Sequence, residues 1–171
     1  MAHVMNEADL LKESSNSTYL TPQGFKSLTE ELEHLTVVKR PEIADRIRES
    51  QQHGEFSEDN SELDEVKFEQ AMVEGRIAEL KSLFSNAVQL DPEKVPVEFV
   101  GLASIVKVSD LEFGDEFEIQ VVAGIEADPN DDRISSDSPM GMALLGNGPG
   151  ETVEFDSPSG RKQYKILSIR R

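Results

Sequence analysis

The chain has 171 residues, enough for one domain or two small ones, and its 34 acidic and 17 basic residues give a net charge of −17. This balance argues against general binding to nucleic acid or to an anionic membrane, because each requires a net basic surface. Cysteine is absent, which excludes disulfides, thiolate nucleophiles and cysteine-ligated zinc. No apolar run approaches the roughly 18 residues of a membrane span. We expect a cytoplasmic protein.

The N-terminal part of the chain predicts a polar extension followed by a long helix. Residues 1–18 lack the apolar core of a secretory signal, and we expect them to be a disordered extension. Thr21 is a good N-cap and Pro22 suits the first helical position. Pro41 and the bias of the preceding Arg40 away from helix predict a kink or local break within one helix over about residues 22–52. Its apolar residues recur at heptad spacings: Phe25, Leu28, Leu32 and Leu35.

A second helix follows, starting near the capping signal Ser61-x-x-Asp64. Its seam residues recur at alternating spacings of three and four, with a single polar member: Leu63, Val66, Gln70, Val73, Ile77, Leu80 and Phe84. Neither helix could hide its apolar stripe alone, so the two must pack antiparallel. The pattern predicts a coiled-coil finger over residues 19–90. We expect Phe25 near Phe84 or Leu80 at its base, and Ile47 near Leu63 or Val66 towards its tip.

The turn between these helices, residues 54–60, is crowded with carboxylates. Like charges repel, and nothing in the run neutralises them. A solvated polar loop is the ordinary interpretation. The alternative is half of a metal site, because carboxylate oxygens suit Mg²⁺, which takes one or two protein carboxylates and completes its shell from water and phosphates. The other half would then come from something that the finger enters.

Residues 91–171 predict a compact α+β domain of short strands and one short helix. After the hinge-like segment Asp91–Pro96, strands are predicted over Leu102–Val108, Glu116–Val122, Thr152–Phe155 and Tyr164–Ile169. In the last strand we expect Tyr164 and Ile166 on one face and Lys165, Leu167 and Ile169 on the other. Ser138 is the predicted N-cap of a helix that runs through Leu145.

The sequence has no pattern typical of a stand-alone enzyme. The three histidines, His3, His34 and His53, lie at no metal-ligand spacing and in no discernible nucleophile–base pair. Phosphate-loop, nucleophile-elbow and dinucleotide motifs are missing. A long helical hairpin also has almost no interior for an enclosed site, so its usual purposes are reach, spacing and dimerisation.

Several segments, in order and at the right separations, carry a resemblance to the bacterial Gre transcript-cleavage factors, of the GreA-like kind, from about Thr21 to Arg171. In chain order they are Leu20-Thr21-Pro22-x-Gly24-Phe25-x-x-Leu28, Arg40-Pro41-Glu42-Ile43-Ala44, His53-Gly54-Glu55-Phe56-Ser57-Glu58 with Asn60, Glu74-Gly75-Arg76-Ile77, and Ile134-Ser135-x-x-Ser138-Pro139-x-Gly141-x-Ala143-Leu144-Leu145-Gly146.

The resemblance implies a partner, an RNA polymerase elongation complex stalled in a backtracked state. The finger would enter the secondary channel, and a C-terminal domain of FKBP-like fold would anchor the factor outside. The tip would help the polymerase to hold a shared Mg²⁺ and activate water, so that the polymerase cuts the extruded 3′ end of the nascent RNA. The chain would then be a cofactor of the polymerase and not an enzyme, would hold no Mg²⁺ stably alone, and would act as a monomer.

Glu55 and Glu58 match the family's tip acids, which implies that they are the catalytic and Mg²⁺-facing residues. The remaining tip residues are possible contributors: Phe56, Ser57, Asp59 and Asn60. The match departs from the family where its first acid is typically Asp, since Glu55 is one methylene longer and Asp59 looks inserted. Three readings stay open: the two glutamates reach the metal by another rotamer, Asp59 replaces one of them, or the tip inhibits the polymerase by occupying the channel without stimulating cleavage.

Two further groups are candidates for contact. Ser138, Pro139 and Met140 fall in the C-terminal signature and are candidates for polymerase contact, although the first two also suit an N-cap and first turn. A basic group on the first helix could meet transcript phosphates or form helix-surface ion pairs with Glu42, Asp45 and Glu49: Lys39, Arg40, Arg46 and Arg48. Gly75 costs its helix up to about 1 kcal/mol, which we attribute to close approach of the helices or to contact with the C-terminal domain.

Overall fold

The computed structural model describes residues 17–53 and 61–171. The chain divides into two compact units. Among the described residues, one unit lies within Phe25–Asn86, and the other is Ala87–Arg171 together with residues 17–24. The extension predicted over residues 1–18 lies almost entirely outside the described residues. The finger predicted over residues 19–90 contains the helical unit, and its two ends, Thr18–Leu20 and Ala87–Gln89, lie in the other unit.

The helical unit is an antiparallel hairpin. Its first arm comprises α1 (Pro22–His34), a π-helical turn (Leu35–Lys39) and α2 (Arg40–His53), which follow one another directly. The second arm is α3 (Ser61–Phe84). Cross-arm pairs show the antiparallel order, because Phe25 contacts Phe84, Arg40 pairs with Glu74, and Arg46 pairs with Glu69.

The irregularity predicted near Pro41 is the π-helical turn. Arg40 donates its N–H to the carbonyl of Leu35, five residues earlier. Proline has no N–H with which to continue the ordinary ladder, and a wider turn just before it lets the helix go on. The expected bias of Arg40 away from helix is wrong, since its φ of −60° and ψ of −47° are helical.

The apolar seam predicted from the heptad spacing is present in the hairpin. The rings of Phe25 and Phe84 meet edge to face with their centroids 5.2 Å apart, which confirms the expected contact at the base. Ile43, Val66, Ile77 and Leu80 are buried along the two arms. The expected contact of Ile47 with Leu63 or Val66 stays a prediction.

The second unit contains two sheets. In the smaller one β1 (Thr18–Leu20) pairs in parallel with β2 (Ala87–Gln89), so the strands that precede and follow the hairpin lie side by side. Neither strand was predicted, because three residues are too few to show an alternating pattern. In the larger sheet the order is β5-β4-β3-β7-β6. Its strands are β3 (Ile105–Asp110), β4 (Glu116–Val122), β5 (Arg133–Ser135), β6 (Thr152–Ser157) and β7 (Gly160–Arg170).

A short helix covers this curled sheet and completes its core. The helix, α4 (Pro139–Leu144), buries Leu144 against the strands. Tyr164 lies in the same core, where its ring meets Phe117 and Phe155 edge to face at 5.4 and 5.1 Å. The α+β class, with an N-terminal helical hairpin and a C-terminal sheet domain, is therefore confirmed. Along the described chain no helix is both long and apolar enough to cross a membrane.

The side-chain alternation predicted for the last strand is correct only in its first half. Tyr164 and Ile166 are buried as expected. Ile169 was predicted on the opposite face, but it packs against the same core. The reason is a register shift, since Val108 pairs with Ile166 and Lys107 pairs with Ser168. Leu167 is the extra residue, and such a bulge reverses the alternation beyond it.

Candidate functional site

The acidic turn lies where the two arms of the hairpin end. Its residues 54–60, with all of the tip candidates, fall outside the described residues: Glu55, Phe56, Ser57, Glu58, Asp59 and Asn60. The structure describes the helix ends on either side, His53 of α2 and Ser61 of α3. The run therefore connects the ends of two antiparallel helices, as the sequence predicts.

Acidic residues continue from the turn onto α3. Glu62 and Asp64 lie in its first turn, where the free N–H groups of the helix end favour negative charge. Across residues 17–53 and 61–171, no group of three or more potential ligands is placed to hold a metal ion.

The basic candidates on the first arm are all engaged in ion pairs. Arg40 donates from Nε and Nη2 to the two carboxylate oxygens of Glu74, at 2.7 and 2.6 Å. Arg46 pairs with Glu69, also across the hairpin. Two further pairs stay on the first arm: Lys39 with Glu42 at 3.4 Å and Arg48 with Asp45 at 2.9 Å.

These pairs favour the helix-surface alternative for the basic group. The Glu74 carboxylate raises the pKa of Arg40 through its hydrogen bonds, as expected for a cation that is already neutralised. The partners differ in part from those expected, because Arg40 and Arg46 reach across to α3 instead of pairing along their own helix. Contact of the basic group with the transcript stays a prediction.

The candidates for polymerase contact lie together on the C-terminal domain. Ser138, Pro139 and Met140 line one open cavity of about 370 Å³, with Ile134 and Phe155 among its other walls. Its lining is largely apolar and includes several prolines, a surface suited to an apolar side chain of a partner.

Local backbone chemistry holds this cavity in shape. The Ser138 hydroxyl donates to the carbonyl of Ser135 at 2.7 Å and accepts from the N–H of Gly141 at 3.0 Å. The predicted N-cap is thereby confirmed. A Cβ at Gly141 would lie 2.0 Å from the Ser135 carbonyl oxygen, so this position requires glycine. Ser138 is thus committed to the turn, which leaves Pro139 and Met140 as the side chains available to a partner.

Sequence reasoning missed a buried carboxylate, Glu126, whose side chain is only 1% exposed. Its oxygens accept from the N–H of Thr21 at 2.9 Å, from the Thr21 hydroxyl at 2.6 Å and from Nη2 of Arg133 at 2.7 Å. A Cβ at Gly24 would lie 1.7 Å from its Oε1. A glycine in the first turn of a helix was the one sequence signal that could have indicated this close approach.

Gly75, by contrast, has no close neighbour in the described part of the chain. A Cβ at this position would meet none of its atoms within 4 Å. The expectation that close approach of the two helices explains this glycine is therefore wrong, and its contact with the C-terminal domain stays a prediction. Nothing in the structure explains its presence.

Comparison with known proteins identifies both halves of the chain. Residues 18–88 match the N-terminal family model of the GreA/GreB transcription elongation factors, and residues 95–171 match the C-terminal one. The chain is 46% identical over 152 residues to transcription elongation factor GreA of Clostridium kluyveri, covering 89% of this chain and 95% of that protein. It is 47% identical over 159 residues to that of Clostridioides difficile, covering 93% and 99%. Among solved structures, GreA factor homolog 1 of Thermus thermophilus is 30% identical, covers 91% of this chain and 100% of its own, and has a TM-score of 0.44.

Proposed function

The chain belongs to the GreA/GreB family of transcription elongation factors, and from this premise we propose that it binds RNA polymerase and stimulates cleavage of backtracked transcripts by the polymerase's own active site. The observation that carries the proposal is the acidic run at residues 54–60, at the turn of an antiparallel hairpin. In this role the chain is a cofactor of the polymerase and acts as a monomer.

The hairpin supplies reach. The 24 residues of α3 span about 36 Å at 1.5 Å per residue, so its end at the turn lies that far from its other end. The pair of arms is only two helices wide and has no enclosed interior. Such a shape suits insertion of the turn into a narrow channel, where the carboxylates would meet a site that another protein has already built.

The tip acids would complete a site shared with the polymerase. Glu55 and Glu58 would contribute carboxylate oxygens to Mg²⁺, and when bound the metal supplies stabilisation of phosphodiester charge and a water of lowered pKa. Two carboxylates cannot replace most of the ion's hydration shell. The ion would therefore be one shared with the polymerase and not one resident on this chain.

The C-terminal cavity would anchor the factor. Pro139 and Met140 present apolar surface there, and a chain of net charge −17 is better suited to a protein partner than to nucleic acid. Contact with the nascent RNA would centre on its 3′ end at the tip. For Arg40 or Arg46 to meet a transcript phosphate, the phosphate would have to displace a carboxylate of α3.

A second candidate function is inhibition of the polymerase without cleavage. The specific observation in its favour is the tip sequence, in which Glu55 stands where the family typically has Asp and Asp59 looks inserted. A methylene and an extra residue would misplace carboxylates that a metal tolerates only within about half an ångström. A factor with such a tip would still occupy the channel.

The two functions are separated by the fate of a labelled transcript in a backtracked elongation complex with Mg²⁺. Cleavage stimulation predicts a shortened transcript, lost in Glu58→Ala and Glu55→Ala while binding is retained. Glu65→Ala is the matched control, an exposed acid on α3 outside the turn. Loss of cleavage in Asp59→Ala would give this residue a metal-facing place, and full activity would make it a spacer. A wild-type factor that slows nucleotide addition and never shortens the transcript would refute the proposal and favour inhibition.

Anchoring is tested with two methionines of the same short helix. Met140 lines the cavity and also packs against the core of the sheet domain, whereas Met142 is 60% exposed and does not line it, so urea unfolding first establishes that both variants are folded. Met140→Ser should raise the factor concentration that gives half-maximal cleavage and leave the maximal rate unchanged, because the tip is untouched. Met142→Ser should change neither. Equal behaviour of the two variants would remove the cavity from the polymerase contact.

A further inference from the structure

The first turn of α1 is held by a carboxylate that lies 105 residues further along the chain. Thr21 caps the helix by accepting from the N–H of Gly24 at 3.0 Å. The same hydroxyl donates to Oε1 of Glu126, while the N–H of Thr21 donates to Oε2. Thr21 therefore connects the first turn of the helix to Glu126 through hydrogen bonds. Thr21, Gly24 and Glu126 all belong to the same compact unit.

The surroundings of Glu126 make this link specific. The carboxylate is neutralised by Arg133 of β5, and its negative charge lies beside the N-terminal end of α1, where a helix favours an anion. The missing Cβ of Gly24 leaves the space that the carboxylate fills. A neutral or longer side chain at position 126, or a Cβ at position 24, would each disturb the same set of hydrogen bonds.

The link lies at one of only two points where the chain passes between the compact units, namely after Gly24 and after Asn86. At both points the neighbouring backbone is fixed. β1 pairs with β2 directly before α1 and directly after α3, and Glu126 then fixes the first turn that follows β1. The strand pair holds the residues before α1 and the residues after α3 side by side. Glu126 then fixes the position of the first turn of α1.

We propose that Glu126 is a positioning residue for transcript cleavage, which holds the start of α1 so that a bound factor delivers its tip carboxylates productively. This proposal rests on the proposed function. Glu126 is buried, with a side chain only 1% exposed, and it does not itself line the cavity at Met140 that would anchor the factor, although its partner Arg133 does. Its loss should therefore lower the rate at which bound factor stimulates cleavage, with little effect on how tightly the factor binds.

The test compares Glu126→Gln with Glu118→Gln in the full-length chain. Glu118 pairs with Arg170 at 2.7 Å on the exposed face of the sheet, so the control makes the same chemical change in the same unit. Misplacement of reacting groups by about 1 Å costs up to a hundredfold in rate. We expect Glu126→Gln to lower the maximal cleavage rate about tenfold or more, with half-saturation within about twofold of wild type. The control should change neither quantity.

Hydrogen exchange supplies a readout that does not involve the polymerase. In Glu126→Gln the amide N–H groups of Thr21 and Gly24 should exchange faster, while those within α3 keep wild-type protection. Should Glu126→Gln fail to fold, Thr21→Val carries the test, because it removes both bonds of the hydroxyl, to Glu126 and from Gly24, and leaves the Glu126–Arg133 pair in place. Thr21→Val should likewise lower the maximal cleavage rate and leave the half-saturating concentration nearly unchanged.

Each outcome decides the proposal. A maximal rate for Glu126→Gln equal to that of wild type would overturn it. The proposal would also be overturned if the loss of cleavage rate matched the fraction of unfolded protein and the half-saturating concentration rose by the same factor. Glu126 would then have only a structural role. If the wild-type factor does not stimulate cleavage, the proposed function fails, and the positioning role fails with it.

Discussion

Two glycines, Gly24 in α1 and Gly75 in α3, should respond in opposite directions to replacement by alanine. Alanine is favoured over glycine in a helix by up to about 1 kcal/mol, so both substitutions would stabilise the protein if propensity alone decided. The surroundings differ, however. A Cβ at Gly75 meets no atom of the described residues within 4 Å, whereas at Gly24 it would lie 1.7 Å from Oε1 and 2.2 Å from Cδ of Glu126.

The size of the effect at Gly24 follows from the bonds that must break. Ordinary contact begins at 3.4 Å, so Oε1 has to move by about 1.7 Å, well beyond the tolerance of a hydrogen bond. It would lose the 2.6 Å bond from Thr21 and the 2.7 Å bond from Arg133. Hydrogen bonds to a charged group are each worth about 1.5–3 kcal/mol. After the gain in helix propensity, Gly24→Ala should lower the free energy of unfolding by about 2–5 kcal/mol.

Urea unfolding of the full-length chain, followed by far-UV circular dichroism, measures both variants against wild type. Hydrogen exchange assigns each change to a unit, since amides of β3 and β7 report the unit that contains Gly24 and amides of α3 report the other. Gly75→Ala should raise the free energy of unfolding by about 0.5–1 kcal/mol. A Gly24→Ala protein as stable as wild type would refute the reasoning, because the carboxylate would then have moved at no cost.

Three further predictions concern the hairpin. Leu80→Ala should cost about 2–5 kcal/mol in urea unfolding, because Leu80 is fully buried. Hydrogen bonds from Arg76 lower the pKa of Glu31. The stabilisation that this pair provides is therefore complete above the ordinary pKa of 4.5 and is lost as the pH falls through the folded-state pKa. In Glu31→Gln the free energy of unfolding should fall less steeply over this acidic range. A double-mutant cycle of Arg40 and Glu74, both exposed, should give a coupling energy close to zero, and a clearly favourable coupling would show that the bidentate geometry outweighs solvent screening.

The hairpin could be predicted from the sequence because its signals are local and repeated. A seam spaced by three and four residues over the length of α3 identifies both a helix and its buried face. The N-caps Thr21 and Ser138 were predicted for the same reason, since each side chain bonds an N–H three residues ahead. The family resemblance added what periodicity cannot give, namely the prediction that the turn between the arms carries the chemistry.

The sheet domain was predicted less completely because its details depend on distant partners. The bulge at Leu167 comes from the pairing of β7 with β3, and no feature of the strand's own sequence indicates it. The pairing of β1 with β2 joins segments on either side of the hairpin. In the basic group, Arg40 and Arg46 select carboxylates across the hairpin, which spacing along one helix cannot reveal.

Glu126 shows why such a residue is hard to infer and what its burial accomplishes. Taking a carboxylate and a guanidinium out of water is costly, and well-packed apolar residues can be equally stabilising, so the ion pair with Arg133 is weak evidence for stability. The carboxylate differs from an apolar side chain in being directional. It is satisfied only where a helix end presents a free N–H, a cap presents a hydroxyl, and the third helical residue lacks a Cβ, and Thr21 and Gly24 provide all three. The buried charge therefore specifies one start for α1. Gly24 leaves space for the carboxylate at the cost of helix propensity, and this glycine is the one part of the arrangement that is visible in the sequence.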